Sequence, residues 1–347
     1  MAVLGIESTA HTASVGIVDD AAQVLALASD MYRPPHGGIH PREAANHHVE
    51  VLPNLVAAAL ESSGLAASEI EAVAFAQGPG LGPCLRAGAT TARTLALSWD
   101  RPLVPVNHCV AHIEIARVLS GIDDPLLLYA SGGNTQVIVY GSGRYRVLGE
   151  TLDIGVGNFL DKLWIALGGT FPGGPAIEVE ARQGQELLPL PYLVHGMDVA
   201  FSGLLTAALE MHRRGASRAD LAYSVESTAF GMLVEITERA LAHQGRRDVV
   251  LGGGVACNER LRGMVGSMVE ARGGRCFTPP KSLCVDNGAM IAWTGTLAHR
   301  SGLAVEVERS VVMPRQRTDL VTAPWRDAHG AGTATVGTEP SVAAAQQ

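Results

Sequence analysis

The stretch AVLGIESTAHTASVGIVDDAAQVLALA, residues 2–28, holds three short apolar segments separated by turn residues. This pattern predicts three successive strands joined by hairpins. A helical pattern follows Pro41, which stands where helices tend to begin, and ends at Gly64. One more strand and a second helix come next. The predicted strands are Ala2–Glu7, Ala13–Asp19, Gln23–Ala28 and Ile70–Ala76, and the predicted helices are Arg42–Leu60 and Cys84–Ser98.

The same order of elements returns in the second half of the chain, interrupted by a longer insertion. Both halves run strand, strand, strand, helix, strand, helix, which predicts two α/β subdomains packed face to face across a cleft. The predicted strands here are Leu126–Ala130, Gln136–Tyr140, Tyr145–Glu150 and Val249–Leu251. The predicted helices are Val156–Leu167, Leu221–His243 in the insertion, and Asn258–Glu270.

Each half carries a small, hydroxyl-rich turn after its first strand. These turns are Glu7–Thr12 and Ser131–Thr135, and such turns can aim backbone N–H groups at an anion. Two of them facing each other would form a nucleotide cleft. For either turn alone, an ordinary hairpin connection is an equally good interpretation.

Composition limits the classes of protein that this chain can be. Of 347 residues, 47% are hydrophobic and 17% charged, enough to bury a large core and too few charges for a disordered chain. No run of 18 apolar residues and no basic leader is found, which predicts a soluble, cytoplasmic protein with no membrane partner. The net charge of −8 disfavours a protein that wraps nucleic acid unaided. The five cysteines form no CxxC pair, so we expect them to be reduced and mostly structural.

A histidine pair is the strongest chemical signal from spacing. His108 and His112 are four residues apart, which places both imidazoles on one helix face, close enough to share a metal ion. Most such pairs are instead surface or core histidines. No Glu follows His108, which argues against a metalloprotease of the HExxH type. Asp286 is a candidate third ligand, although capping the helix that follows it is the more common role.

Other polar residues have open interpretations. Asp161 and Lys162 could face the cleft or form a solvated pair, and Glu178 has the same ambiguity. The histidine-rich segment Arg33–His48 could contact phosphates or be an exposed helix start. The glycine clusters at residues 172–175 and 251–255 match neither the GxxxxGK[ST] loop nor a complete GxGxxG fingerprint, so Walker and Rossmann folds are disfavoured.

Ten segments together resemble the tRNA threonylcarbamoyladenosine synthases, the TsaD or "glycoprotease" family. They run from Gly5 to Trp293: GIESTAHTASVGIV, GGIHPREAANHH, QGPGLGPCLRAGATTARTLA, NHCVAHIE, YASGGNTQV, DIGVGNFLDKLW, PGGPAIE, MDVAFSGLL, LGGGVACNERLR and PPKSLCVDNGAMIAW. Tyr129 and Asn134 resemble the archaeal and eukaryotic branch, which works in the KEOPS complex. Cys257 stands where many members have Ala.

The resemblance implies a duplicated actin-like ASKHA fold, of the RNase H-like α/β class, with two lobes and a central nucleotide cleft. We expect an N-terminal lobe over residues 1–125, completed by residues 296–325, and a C-terminal lobe over residues 126–295. Residues 326–347, in a tail rich in Ala, Gly and Thr, are expected to be disordered.

The resemblance also implies the site residues. The family's metal ligands, which usually hold iron or zinc, correspond to His108, His112, Tyr129 and Asp286, and we expect Fe²⁺ rather than Zn²⁺. ATP with Mg²⁺ could take the place of the adenylate. No catalytic residue separate from the metal site is expected. The implied adenylate pocket consists of Tyr129, Ala130, Ser131, Gly132, Gly133, Asp161, Gly174, Glu178 and Asn258.

The implied reaction moves a threonylcarbamoyl group from threonylcarbamoyl-adenylate to N6 of the tRNA adenosine 3′ of the anticodon, in tRNAs that read ANN codons, and releases AMP. The implied partners are tRNA and the KEOPS subunits: an atypical kinase, a kinase regulator and a small dimerising subunit. Three alternatives stay open at this point. They are an ATP-dependent small-molecule kinase or O-carbamoyltransferase of the same fold, a non-enzymatic nucleotide-binding scaffold, and a protease.

Overall fold

The first five strands form one sheet in the order β3-β2-β1-β4-β5. The computed structural model describes residues 1–34 and 37–327. Strands β1, β2 and β3 pair antiparallel, whereas β4 and β5 run parallel to β1. The strands are Ala2–Glu7 (β1), Thr12–Asp19 (β2), Val24–Met31 (β3), Ile70–Gly78 (β4) and Leu103–Asn107 (β5), and the helices of this half are Pro41–Ser63 (α1), Gly82–Trp99 (α2) and His108–Ser120 (α3).

The second half repeats this sheet with the order β12-β11-β6-β7-β8 and the same pattern of directions. Its strands are Leu126–Ala130 (β6), Thr135–Gly141 (β7), Arg144–Glu150 (β8), Val249–Gly252 (β11) and Cys276–Phe277 (β12), and a small ribbon pairs Val194–His195 (β9) with Asp198–Val199 (β10). Its helices are Val156–Ala166 (α4), Gly173–Ala181 (α5), Ser202–Arg213 (α6), Arg218–Gln244 (α7), Glu259–Ala271 (α8), Lys281–Cys284 (α9), Gly288–Arg300 (α10) and Pro324–Asp327 (α11). The repeat predicted from the sequence is therefore confirmed. The sequence analysis missed short or glycine-rich elements such as β5, β12 and α5, and it also missed the twelve-residue helix α6.

Helix α10 packs directly on the first sheet, although it follows the second sheet in sequence. Glycines make this close approach possible: a Cβ added to Gly16 would lie 2.3 Å from the Ala289 backbone nitrogen, and one added to Gly5 would lie 2.2 Å from that of Ala292. The predicted lobe boundary at residue 295 falls inside this helix. We propose that the first lobe instead includes α10 as a whole.

Helices α3 and α10 occupy equivalent places in the two repeats and contact each other between the sheets. Each follows the fifth strand of its half, and each begins with an asparagine cap. The Asn107 side chain accepts a hydrogen bond from Val110 N–H, and the Asn287 side chain accepts one from Met290 N–H. This contact brings the two helix starts together at the base of the cleft.

Two further observations concern the ends and surfaces of the chain. In the predicted tail 326–347, Arg326 and Asp327 belong to α11, and the rest lies outside the described residues. Across residues 1–34 and 37–327, no helix combines the length and the apolar character needed to cross a membrane.

Candidate metal centre

His108 and His112 lie at the start of α3, one helical turn apart and almost fully buried. Their ring centroids are 4.9 Å apart. Asp286, in the loop before α10, places its Oδ1 3.3 Å from the Nε2 atoms of both histidines. Candidate ligand atoms of the three side chains all lie within 4.8 Å of one another, so the group could hold a metal ion.

Tyr129 adds a phenol to this cluster. It lies near the end of β6, is 2% exposed, and places its hydroxyl 2.9 Å from His108 Nε2. The four residues named as metal ligands from the resemblance thus meet in one place. The alternative interpretation of Asp286 as a helix cap is wrong, because the neighbouring Asn287 caps α10 and leaves the Asp286 carboxylate for the histidines.

Glu7 orients the first histidine, a role that the sequence did not indicate. Its Oε2 lies 2.8 Å from His108 Nδ1, and its Oε1 accepts a hydrogen bond of 2.6 Å from Thr9 N–H. A carboxylate on Nδ1 keeps the proton on that nitrogen and aims Nε2 at Tyr129 and Asp286, so a neutral His108 would present its Nε2 lone pair to an ion there. Glu7 is fully buried, at the end of β1.

The donor chemistry of this cluster fits a divalent ion. Two imidazole nitrogens, a carboxylate and a phenol suit iron and zinc equally well. The buried His112 Nδ1 has no hydrogen-bond partner among the described residues, so, in contrast to His108, no neighbouring acceptor fixes the tautomer of this ring.

The protonation state of each ionisable side chain in the cluster depends strongly on its neighbours. Burial favours a neutral His108, but Tyr129, Glu7 and Asp286 together raise the pKa of His108 well above its ordinary value. Burial lowers the pKa of His112. Although burial also opposes a charged Asp286, the two histidines hold the pKa of its carboxyl well below the usual range. Asp286 is therefore a carboxylate, ready to bind a cation.

A cavity of about 760 Å³ opens above the cluster, between the two halves of the chain. His108, Tyr129 and Asp286 form part of its lining, and both hydroxyl-rich turns contribute to it. The prediction that these turns face one cleft is confirmed. They contribute Thr9, Ala10 and His11 from the first half and Ser131, Gly132, Gly133 and Asn134 from the second.

Helix α4 presents one face to this cavity. Asn158, Asp161, Lys162 and Ile165 all line it, at the spacing of a single helical face. The possibility that Asp161 and Lys162 face the cleft is thus the correct one. Asp161 Oδ1 accepts a 2.6 Å hydrogen bond from Gly173 N–H, and burial raises the pKa of its carboxyl.

Four of the predicted pocket residues lie outside the cavity lining. Glu178 accepts a hydrogen bond of 2.9 Å from Glu259 N–H. The Asn258 side chain caps α8 by accepting a hydrogen bond from Leu261 N–H, and it donates a 2.6 Å hydrogen bond to Glu226. Both ends of the Asn258 amide are therefore engaged. Gly174 follows Gly173 at the start of α5. Ala130 is fully buried beneath the second turn.

Several residues of the cavity were not expected from the sequence. Pro79, Gly80 and Leu81 line it, and so does Phe171. The Phe171 ring meets the His11 ring edge to face, with centroids 5.5 Å apart, so this contact joins the two halves across the cleft. In the segment Arg33–His48, residues 35 and 36 lie outside the described part. Among the described residues of that segment, Gly38 and Ile39 line the cavity. Both are uncharged, whereas charged groups of this segment were expected to contact phosphate.

Comparison with known proteins places these features in context. The family model for TsaD, described as tRNA N6-adenosine threonylcarbamoyltransferase, matches residues 23–293. A protein of that name from Thermococcus kodakarensis is 52% identical over 326 residues, covering 94% of this chain and 100% of its own. A "probable bifunctional tRNA threonylcarbamoyladenosine biosynthesis protein" from Thermoplasma volcanium is also 52% identical, and there the match spans 94% of this chain but 62% of the longer relative.

A solved structure supports the fold independently of sequence. HypF from T. kodakarensis superposes with a TM-score of 0.63 at 18% identity, over 86% of this chain and 48% of that one. The likeness extends to the duplicated, two-lobed actin-like architecture expected from the sequence.

Proposed function

Since this chain belongs to the TsaD family of tRNA N6-adenosine threonylcarbamoyltransferases, we propose that it transfers a threonylcarbamoyl group to N6 of the tRNA adenosine 3′ of the anticodon. The observation that carries the proposal is the meeting of His108, His112 and Asp286 at the base of the interlobe cavity. A sugar-kinase function would not require this ligand set. A cytoplasmic location follows from the tRNA substrate.

The proposed donor is threonylcarbamoyl-adenylate, a mixed anhydride with a good leaving group. The N6 amine attacks the carbamoyl carbon, a C–N bond forms, the C–O bond to the phosphate breaks, AMP leaves, and the amine releases a proton. The enzyme therefore needs to position its substrates and stabilise charge, and it needs no nucleophilic side chain. When bound, a divalent ion at His108, His112, Tyr129 and Asp286 would supply Lewis-acid polarisation of a substrate oxygen.

The turn after β6 is the proposed cradle for the adenylate phosphate. A Cβ added to Gly132 or Gly133 would meet no protein atom within 4 Å, so a ligand can approach this backbone closely. The cavity volume lies in the range typical of small-molecule sites. We propose that Tyr129, Ala130 and Ser131 complete the floor of this pocket.

The ribose side of the proposed pocket continues from α4 into α5 and α8. Asp161 lines the cavity and holds the start of α5 through Gly173, next to Gly174. From there Glu178 reaches the backbone of Glu259, beside Asn258. This chain of contacts supports Asp161, Gly174, Glu178 and Asn258 as one wall, with the two carboxylates accepting ribose hydroxyls.

The remaining parts of the proposal concern the ion and the partners. We propose Fe²⁺ rather than Zn²⁺ as the resident ion, with ATP and Mg²⁺ able to occupy the nucleotide pocket. We propose that the chain works on tRNA with an atypical kinase, a kinase regulator and a small dimerising subunit. The bifunctional names of the longer relatives support a functional link to a further domain.

The test is reconstitution of the chain with the partner subunits, threonylcarbamoyl-adenylate and unmodified tRNA, followed by mass spectrometry of the tRNA nucleosides. We expect threonylcarbamoyladenosine at the position 3′ of the anticodon, with one AMP released per transfer. Unmodified tRNA, together with phosphorylation or O-carbamoylation of a small molecule, would replace this proposal with the kinase or carbamoyltransferase alternative.

A further inference from the structure

A strap of chain, residues 310–317, lies on the rim of the cavity that belongs to the first half. Pro314 of this strap lines the cavity. Backbone hydrogen bonds hold the strap against the end of β4 and the turn that follows it. Met313 N–H donates to the Gln77 carbonyl at 2.7 Å, and Gly80 N–H donates to the Pro314 carbonyl at 3.1 Å. The strap therefore has a fixed position on this rim.

One face of α2 runs along the same strap. Arg93 Nε donates a hydrogen bond of 2.7 Å to the Ser310 hydroxyl. Arg86 lies two turns earlier in α2, on the same helix face. A Cβ added to Gly82 would lie 3.4 Å from Pro314 Cγ and 3.6 Å from Arg86 Nη1. The Arg86 guanidinium therefore stands beside the residue through which the strap lines the cavity.

Two arginines at this rim carry charge that no neighbour compensates. Arg86 and Arg315 are exposed, and neither forms a hydrogen bond or an ion pair with a described residue. Arg317 of the same strap differs, because it pairs with Asp319 at 2.6 Å. An unpaired guanidinium offers planar N–H donors that match the oxygens of a phosphate. The first-half rim is thus suited to an anion that approaches from solvent.

The route of the tRNA adenosine brings such anions to the rim, a step that rests on the proposed function. The candidate metal centre lies at the base of a cavity of about 760 Å³, which has room for small molecules rather than for a folded RNA. The adenosine must therefore turn out of its loop into the cavity, while its backbone stays outside. The proposed cradle of the adenylate phosphate, at Gly132 and Gly133, belongs to the second half.

We propose that Arg86 and Arg315 bind backbone phosphates of the tRNA anticodon loop next to the acceptor adenosine, and so position its N6 amine above the candidate metal centre. Both are positioning residues, since neither belongs to the described cavity lining. A contact with the RNA backbone requires positive charge and does not depend on base sequence. Lysine at either position should therefore keep most of the function.

The first experiment measures steady-state kinetics of the chain reconstituted with its partner subunits. Arg86→Ala combined with Arg315→Ala should raise the KM for tRNA about tenfold or more. The effect on this KM should exceed the effect on kcat, and the KM for threonylcarbamoyl-adenylate should match that of the parent. The corresponding double lysine variant should recover most of the tRNA affinity.

A matched control removes the same charge elsewhere. Arg213 and Arg214, at the end of α6, are exposed, and both pair with Glu210. They lie outside the described cavity lining. Arg213→Ala combined with Arg214→Ala should leave the KM for tRNA close to that of the parent.

The second experiment does not depend on transfer. Fluorescence anisotropy measures binding of a labelled anticodon stem-loop RNA to the chain alone, in a salt series that begins at low ionic strength. The plot of log affinity against log salt should become less steep by about one unit for each arginine replaced by alanine. The lysine variants should keep the slope of the parent.

Several results would overturn the inference. They are an unchanged tRNA KM or an unchanged salt slope in the double alanine variant, an equal loss in the control variant, and a raised KM for the adenylate in place of tRNA. Lysine variants as impaired as the alanine variants would indicate a structural role instead. If the parent itself modified no tRNA, the proposed function would be contradicted, while the stem-loop measurement would still decide the phosphate contacts.

Discussion

At the scale of single residues, the candidate centre depends on side chains that are remote in sequence. The spacing of His108 and His112 predicted a shared helix face, and the structure confirms it. The role of Glu7 could not be predicted, because it lies 101 residues from His108 and no local pattern encodes which imidazole nitrogen meets a carboxylate. Asp286 was recognised as a candidate ligand, but the position of the helix cap relative to it required coordinates.

Removing both imidazoles should abolish transfer and ion binding while the chain stays folded. His108→Ala combined with His112→Ala deletes two of the candidate donors but leaves the sheets and their cores in place. Metal content after chelation and reloading, circular dichroism and nucleoside mass spectrometry provide the measurements. His243→Ala, on the exposed end of α7, is the matched control and should behave as the parent does. Full activity with unchanged metal content in the double variant would reject the site.

Neutralising the orienting carboxylate should weaken ion binding without unfolding the protein. Glu7→Gln keeps the shape of the side chain but replaces the acceptor at His108 Nδ1 with an amide that presents either an oxygen or an NH₂ group. Loss of such a partner typically costs about 10–100-fold in metal affinity. A chelator competition titration measures it, and equal affinities of Glu7→Gln and the parent would show that His108 needs no orienting group.

At the scale of elements, hydrophobic periodicity was enough to locate the long helices and the three-stranded meander of each half. Helix α1, predicted over residues 42–60, runs from Pro41 to Ser63. The strands β5 and β12 were not predicted because they are short, and each pairs with one neighbour at the edge of its sheet, so their identity depends on tertiary pairing. Helix α5 was not predicted because its glycine-rich start is typical of a loop.

The seam between α10 and the first sheet should be intolerant of even one methyl group. A Cβ at Gly16 would clash with the backbone of Ala289, so we expect Gly16→Ala to lower the free energy of unfolding by about 1–3 kcal/mol. Gly263, in the exposed part of α8, would meet no atom within 4 Å. Gly263→Ala should therefore raise stability by about 0.5–1 kcal/mol. Urea unfolding of both variants and of the parent measures these changes in stability. Equal midpoints for Gly16→Ala and the parent would show that the contact between α10 and the first sheet can relax.

At the scale of the whole molecule, the repeat could be predicted from the order of elements, but the way the lobes share helices could not. Sequence order places α10 after the strands of the second sheet, whereas the helix packs on the strands of the first sheet. Net charge is also a property of this scale. With 26 basic residues against 34 acidic ones, the chain carries a net charge of −8. Among the described residues that line the cavity, Lys162 is the one lysine or arginine.

The purified chain should therefore bind tRNA weakly when its partners are absent, and binding should weaken further as salt rises. Few phosphates can be neutralised by a surface with this charge, so few counterions are released. Filter binding across a salt series measures both affinity and slope. Adding Lys162→Ala to the series tests whether the cavity lysine contributes to that slope. Tight, salt-insensitive binding by the chain alone would contradict the proposed need for partner subunits.

The meeting of the two capped helix starts has a consequence for the two halves of the chain. His108 follows the cap of α3 and Asp286 precedes the cap of α10, so equivalent corners of the two repeats supply different donor atoms to one cluster. Neither half of the chain contains all of the candidate metal ligands. A half-length protein with this layout would have to self-associate before it could hold an ion.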